Sequence, residues 1–284
     1  MSVYVEKNGP VATVINDRPN ARNAGDPETA DALTQAFLAF DADPDARVAV
    51  FWGAGGAFCA GWDLKYAAGL ADRQRFQKEI VAGLAFPPGA ASAPRGPLGP
   101  SRLELSKPVI AAVEGPAVAG GMELALWCDI RVMAEDAYFG VYCRRWEIPL
   151  LDGGTVRLPR LVGQGRAMEI ILTGRKVPAE EAYRIGLCEK VVRKGQAREA
   201  AEAMAHEIAR FPQAAVRADR ANVYETYGLQ MREALKREWA NGLEAHHRKA
   251  PTALRASPPE RVAMATSRIS REPDVGPAQR GRRR

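Results

Sequence analysis

Pro108-Val-Ile-Ala-Ala-Val-Glu-Gly-Pro-Ala-Val-Ala-Gly-Gly-Met-Glu-Leu-Ala-Leu-Trp127 holds a whole structural unit in 20 residues. The apolar run Pro108–Val113 reads as a strand buried on both faces, Glu114–Gly121 as a glycine-rich turn and Met122–Trp127 as an apolar helix. A buried strand that passes through a tight turn into a helix argues for an α/β body around a largely parallel, covered sheet. Val48-Ala-Val-Phe-Trp52, ended by Gly53-Ala-Gly-Gly56, repeats the strand-and-turn half, and Ile130–Ala134 is a third strand after the helix. Upstream, Val3-Tyr-Val-Glu6 and Val11-Ala-Thr-Val-Ile15 flank Asn8-Gly9-Pro10 as a hairpin. Asp26-Pro27 opens a helix in which Ala30, Leu33, Phe37 and Phe40 recur at helical spacing.

Beyond Ala179 helices dominate, at 179–185, 197–210 and about 213–247, the last broken near Tyr227-Gly228. The chain divides into an α/β core over 1–195, a helical C-terminal region over 196–249 and a tail over 250–284. That tail sets eight Arg against Glu260, Glu272 and Asp274, a net of +5 out of the chain's +6. With five Pro and little apolar periodicity it is expected to be disordered, and the remaining body is nearly neutral. Residues 86–101 hold five Pro and three Gly and are expected to form a long loop, mobile or functional.

At 284 residues, 46% hydrophobic and 26% charged, the chain is globular and large enough for a substantial core, which excludes collagen, coiled coil and disulfide miniprotein. Its apolar runs are too short and too broken by Gly to span a membrane, and the N-terminus lacks a signal pattern, so the expected location is the cytoplasm. Cys59, Cys128, Cys143 and Cys188 lie far apart without a Cys-x-x-Cys, pointing to reduced thiols and no metal site. The three histidines, His206, His246 and His247, all fall in the C-terminal helices and no Gly-x-Ser-x-Gly accompanies them, which argues against a serine hydrolase. Gly53-Ala-Gly-Gly56 lacks the Gly-Lys-Ser/Thr of a P-loop, and Gly163-Gln-Gly165 lacks the acidic partner of a dinucleotide site. Nucleic acid is not the expected partner of a body this close to neutral.

The chemistry lies in two glycine turns, Ala57-Phe-Cys-Ala-Gly-Trp-Asp-Leu-Lys65 and Glu114–Leu124, each after a buried strand. The second leads straight into a helix, whose first N–H groups lack partners. One N–H from each turn, converging on a carbonyl oxygen, would form an oxyanion hole. Glu123, three residues after Gly120, projects from the same helix face, and a carboxylate beside such a hole suits moving a proton on a carbon next to a carbonyl. The alternative is that both are close-packed strand–helix turns, with Glu123 favouring a helix N-terminus.

These residues resemble a known family. Phe58-Cys-Ala-Gly-Trp-Asp-Leu-Lys65 resembles the first oxyanion segment of the enoyl-CoA hydratase/isomerase (crotonase) superfamily. Ser106–Gly115, Ala119-Gly-Gly-Met-Glu-Leu124 and Cys128-Asp-Ile130 resemble its second. Arg18-Pro-Asn-Ala-Arg-Asn-Ala24, Gly153-Gly-Thr155, Leu158-Pro-Arg-Leu-Val-Gly163 and Leu172-Thr-Gly174 fit the same family, so the likeness spans residues 3 to about 245. It implies a crotonase-like spiral of ββα units with a helical C-terminal trimerisation region, forming a homotrimer or dimer of trimers. It also implies an acyl-CoA thioester in the cleft and no separate cofactor, coenzyme A being part of the substrate. By position, Trp62 and Gly120 would supply the oxyanion N–H groups, and Arg22, Ala60, Asp63, Leu64 and Lys65 would lie along the CoA. Trp62 is large for its place and either narrows the acyl pocket or fills core.

Hydratases of this family use two glutamates. Glu123 matches the first, but the second falls at Cys143, which is no comparable acid. Two nearby acids are candidates to replace it. Asp152 resembles the catalytic aspartate of dienoyl-CoA isomerases or else caps a helix starting at Gly153, and Glu147 stands where many relatives have glycine. The leading expectation is an enoyl-CoA hydratase of fatty acid metabolism, with Glu123 and Asp152 catalytic. An enoyl- or dienoyl-CoA isomerase is the alternative, and a non-catalytic acyl-CoA- or RNA-binding homologue is the alternative of a different class. The family's closing amphipathic helix is expected to be replaced by the Arg/Pro-rich tail.

Overall fold

A computed structural model describes residues 2–86, 88–89 and 93–247, so the expected 250–284 tail lies outside the described residues. The first part of the chain forms β1 (Val3–Asn8), β2 (Val11–Asn16), α1 (Pro27–Ala42), β3 (Val48–Gly53), α2 (Leu64–Ala68) and α3 (Arg73–Phe76). The middle forms β4 (Val109–Val113), β5 (Pro116–Val118), α4 (Gly120–Trp127), β6 (Ile130–Ala134) and β7 (Tyr138–Gly140). Then come α5 (Gly154–Val162), α6 (Gln164–Thr173), β8 (Lys176–Pro178), α7 (Ala179–Arg184) and β9 (Lys190–Val192). The chain continues through α8 (Ala197–Ala209), α9 (Gln213–Glu225) and α10 (Met231–His247).

The main sheet has the order β1-β2-β3-β4-β6-β9. Its hairpin pairs Val3 with Asn16 and Asn8 with Val11, and every later neighbour is parallel. The turn is closed by Gly9 at φ +54°, a conformation glycine adopts without steric cost. All residues of β2 and β4 are buried, as continuous apolar strands of a covered parallel sheet should be. Asp26 accepts a hydrogen bond from the Thr29 N–H, capping α1 just ahead of Pro27. From α1, Phe37 meets Phe51 of β3 and Trp127 of α4 edge-on, at 5.4 and 4.8 Å between centroids. A smaller sheet, β5-β7-β8, stands beside the main one.

By their contacts the described residues fall into two units, divided between Ala221 and Asn222. The sheet-bearing unit thus runs past the 195/196 boundary expected from the sequence. The reason lies in α8, where Ala197, Ala201, Ala205 and Ala209 recur every fourth residue and are all buried against the strands. Alanine on that stripe lets the helix lie close to the sheet. In the second unit the break expected near Tyr227-Gly228 separates α9 from α10, with Gly228 at φ +87°. There Asn241 Nδ2 donates to Asn222 Oδ1 at 2.7 Å.

Candidate active site

The two glycine turns are built against each other. Asn23, in the Arg18–Ala24 motif, holds the end of the first β3 turn. Its Nδ2 donates to the Ala54 and Ala57 carbonyls, both at 2.7 Å. From there the chain pairs with β5, the Val118 N–H donating to Cys59 O at 3.0 Å. Gly61 has φ +89°, and a Cβ on it would lie 2.9 Å from Ala119 Cβ and 3.1 Å from Gly120 N; one on Gly121 would lie 2.0 Å from Cys59 O. Only glycine allows the backbones this close.

On the other side the Gly25 N–H donates to Gly61 O at 2.8 Å and the Asp63 N–H to Gly25 O at 2.9 Å. In such a parallel bridge the intervening Trp62 N–H points away from Gly25, toward the second turn. Ala119 stands at φ +53°, strained for a side-chain-bearing residue, and its N–H donates to Gly140 O at 2.7 Å. Through that kink the chain passes from β5 into α4, whose first N–H is that of Gly120. Neither the Trp62 nor the Gly120 N–H is paired with an acceptor among the described residues. Two unpaired donors on touching turns can bind one oxygen and stabilise charge developing on it.

Glu123, on the first turn of α4, is buried, and its Oε1 accepts the N–H groups of Asp152 (2.9 Å) and Gly154 (2.8 Å). Burial, reinforced by the Asp152 charge and opposed by those N–H groups, pushes its carboxyl up to about 7. Asp152 is also buried. It does not cap the following helix, because α5 begins after Gly153 without a side-chain cap. Instead Asp152 Oδ1 accepts from the Ser101 hydroxyl and from the Leu98 N–H (3.1 Å), while its Oδ2 lies 3.6 Å from where a Gly120 Cβ would be. Burial raises the Asp152 carboxyl, against those hydrogen bonds and the Arg102 and Arg157 charges. Arg157 ties the shell together, donating to Asp152 O at 2.9 Å and Ser101 O at 2.7 Å. Sequence reasoning missed Ser101, Leu98 and Arg157. Part of the expected 86–101 loop, Gly96–Ser101, is in fact buried packing around Asp152.

Cys143 sits on a 3-10 turn, Tyr142–Trp146, in the wall beside Glu123. Burial and the Glu123 charge push its thiol up, so it is held as a neutral thiol and not as a thiolate nucleophile. Glu147 is exposed, at φ +57°, a conformation glycine would accept without strain.

A cleft joins these groups, lined among others by Trp62, Leu64, Gly120, Glu123, Cys143 and Asp152. Ala60 also lines it, its N–H donating to Arg22 O at 3.0 Å. Arg22 and Lys65 are exposed and form no ion pair with a carboxylate among the described residues. Asp63 is committed structurally, its Oδ1 capping α2 at Lys65 N (2.9 Å) and its Oδ2 meeting Arg18 (3.0 Å). No cluster of three His, Cys, Asp or Glu side chains is placed to hold a metal among the described residues.

Comparison with known proteins bears on this site. The family model for enoyl-CoA hydratase/isomerase matches residues 6–85 and 100–271. An enoyl-CoA hydratase of Mycobacterium tuberculosis is 39% identical over 247 residues, covering 84% of this chain and 86% of that protein. A carnitinyl-CoA dehydratase of Salmonella typhi is 40% identical over 209 residues, covering 73% and 74%. Among solved structures, an enoyl-CoA hydratase from Mycobacterium marinum superposes with a TM-score of 0.77 at 31% identity, covering 94% and 96%. One from Bacillus anthracis gives 0.75 at 30%, covering 88% and 92%. With two glycine turns locked together over a buried carboxyl pair, and relatives matched along most of its length, this chain belongs to the enoyl-CoA hydratase/isomerase family.

Proposed function

We propose that the protein hydrates 2-enoyl-CoA thioesters reversibly, with Glu123 and Asp152 as its acid–base pair. The observation that carries this reading is the pair itself: two buried carboxyls in one cleft, linked by the Asp152 N–H to Glu123 Oε1, beside two unpaired N–H groups. With Glu123 raised to about 7, Asp152 raised as well and the two charges opposing each other, the pair is suited to passing one proton between them. The Glu123 carboxylate takes a proton from water as the water oxygen bonds to C3. The C2–C3 π electrons move to the thioester oxygen, held by the Trp62 and Gly120 N–H groups, and the resulting enolate takes a proton at C2 from Asp152. The proton taken by Glu123 then returns to Asp152, restoring the pair. Arg22 and Lys65 are suited to the CoA phosphates, Ala60 and Leu64 to the pantetheine arm, and Asp63 to holding that segment in place.

Cys143 favours a second reading. If Asp152 carries a proton along the acyl chain, the same enolate yields a double-bond isomerase without water addition. We further propose a cytoplasmic homotrimer or dimer of trimers using no separate cofactor. Val223, Met231 and Trp239 in the second unit, each at least 70% exposed, support self-association. The test is loss of the conjugated enoyl absorbance of crotonyl-CoA. The expected result is loss with the native protein and about 10²–10⁴-fold slower loss with Glu123→Gln or Asp152→Asn. No loss with the native protein, together with migration of a 3-enoyl double bond, would replace hydration by isomerisation.

A further inference from the structure

The segment Gly96–Ser101 wraps the Asp152 carboxyl in a small closed turn. The Gly96 N–H donates to Gly99 O at 2.8 Å and the Gly99 N–H to Gly96 O at 2.9 Å, and between them the Leu98 N–H donates to Asp152 Oδ1. The Ser101 hydroxyl, on the 3-10 turn Pro100–Arg102, donates to the same oxygen. Oδ2 accepts no hydrogen bond among the described residues and is the oxygen beside Gly120. We propose that Ser101 is a positioning residue for the reaction: together with the Leu98 N–H it fills Oδ1, so that Asp152 carries its proton on Oδ2, the oxygen beside Gly120. This inference rests on the acid role proposed for Asp152 and adds the residue that aims it.

The two donors fix which oxygen is the acid. A backbone N–H cannot turn into an acceptor, so Oδ1 stays an acceptor of the Leu98 N–H whichever way the Ser101 hydroxyl rotates. With both donors on Oδ1, a proton there would face two hydrogens, whereas one on Oδ2 faces none. Gly120 supplies one of the N–H groups proposed to hold the thioester oxygen, and C2 is two bonds from that oxygen. A proton on Oδ2 therefore starts beside the carbon that takes it. The packing leaves the pair little freedom. A Cβ on Gly96 would lie 1.8 Å from Ser101 Oγ and 2.7 Å from Asp152 Oδ1, so the Gly96 backbone covers this hydrogen bond directly. Leu98 Cδ1 lies 2.2 Å from where a Gly120 Cβ would be, so the same turn packs against the oxyanion segment. The titratable and charged groups facing Asp152 are Glu123 on α4, Arg102 beside Ser101, Arg157 on α5 and Cys59 in the first glycine turn. The Ser101 hydroxyl favours the ionised carboxyl, as the Arg102 and Arg157 charges do, against the effect of burial.

The pH profile of crotonyl-CoA hydration by Ser101→Ala tests the assignment. Without the hydroxyl Asp152 ionises less readily, so the alkaline limb of kcat/KM should move to higher pH by about one unit. Turnover, kcat, should fall about tenfold because the proton is shared between the two oxygens, while KM stays within about twofold of native. Ser101→Cys, whose thiol is a weaker donor, should fall between the two and serves as the test if Ser101→Ala does not fold. In an Asp152→Asn background Ser101→Ala should cost nothing further, because the group it positions is gone. An alkaline limb that stays in place, or a loss of the same size in the Asp152→Asn background, overturns the positioning role and leaves the acid role of Asp152 standing. A native protein that leaves crotonyl-CoA unreacted, or an alkaline limb that survives Asp152→Asn, overturns the reading on which it rests.

Discussion

Replacing Glu123 by Gln should make the protein more stable as it makes it less active, and only above a certain pH. In the folded chain the Glu123 carboxyl is raised from 4.5 to about 7 by burial and by the neighbouring Asp152. Below pH 4.5 the group is protonated in both states; between 4.5 and 7 the folded chain keeps a proton that the unfolded chain has released. Stability therefore falls as pH rises through that window, by about 3 kcal/mol in all, and the deficit persists above 7. A Gln at 123 carries no charge to desolvate, and its amide oxygen can accept the Asp152 and Gly154 N–H groups as Oε1 does. Urea unfolding at pH 5 and pH 8, at one protomer concentration, should show the variant higher by only about 0.3 M at pH 5. At pH 8 the variant should be higher by about 1 M, taking a slope near 3 kcal/mol per molar. A variant no more stable than the native protein at pH 8 would mean that the buried carboxylate costs nothing to ionise.

Four further outcomes follow from the same geometry. Asp152→Asn removes the group proposed to hold the proton for C2, so the alkaline limb of the residual kcat/KM profile should disappear while the acid limb, set by Glu123, stays. Gly121→Ala puts a Cβ 2.0 Å from a backbone oxygen and should destabilise the fold severely. Gly165→Ala meets nothing within 4 Å and should raise stability by about 0.5–1 kcal/mol, which thermal melts of the pair will compare. Cys143, a buried and neutral thiol, should resist alkylation by iodoacetamide at pH 8 in the native protein and react fully in urea, as mass spectrometry of the tryptic peptide would show.

The long parallel strands were legible in the sequence because burial on both faces leaves continuous apolar runs, as in Pro108–Val113. The three-residue strands β5, β7 and β8 were not, since a pairing that short leaves no period to read. Glu123 and the two turns were visible through glycine placement and a helix start. The setting of Asp152 was not: its partners Leu98 and Ser101 come from a Pro/Gly-rich segment about fifty residues upstream, where composition suggests an exposed loop. Whether Asp152 caps a helix or faces the cleft depends on one turn of backbone, and Gly153 in the left-handed conformation directs it to the cleft. The helix α8 was legible but its packing on the main sheet was not, because an alanine stripe is too small to mark an apolar face yet buries fully against the strands.

The proposed hydration requires that this cleft add water, and not merely move protons, despite Cys143 where hydratases of the family carry a second glutamate. Crotonyl-CoA incubated in H₂¹⁸O enriched with deuterium, with the product read by mass spectrometry, separates the two. The expected product is 3-hydroxybutyryl-CoA carrying ¹⁸O at C3 and one deuterium at C2, formed slowly if at all by Asp152→Asn. Deuterium entering the acyl chain without ¹⁸O would show an enolate that never meets water, and would contradict hydration in favour of isomerisation.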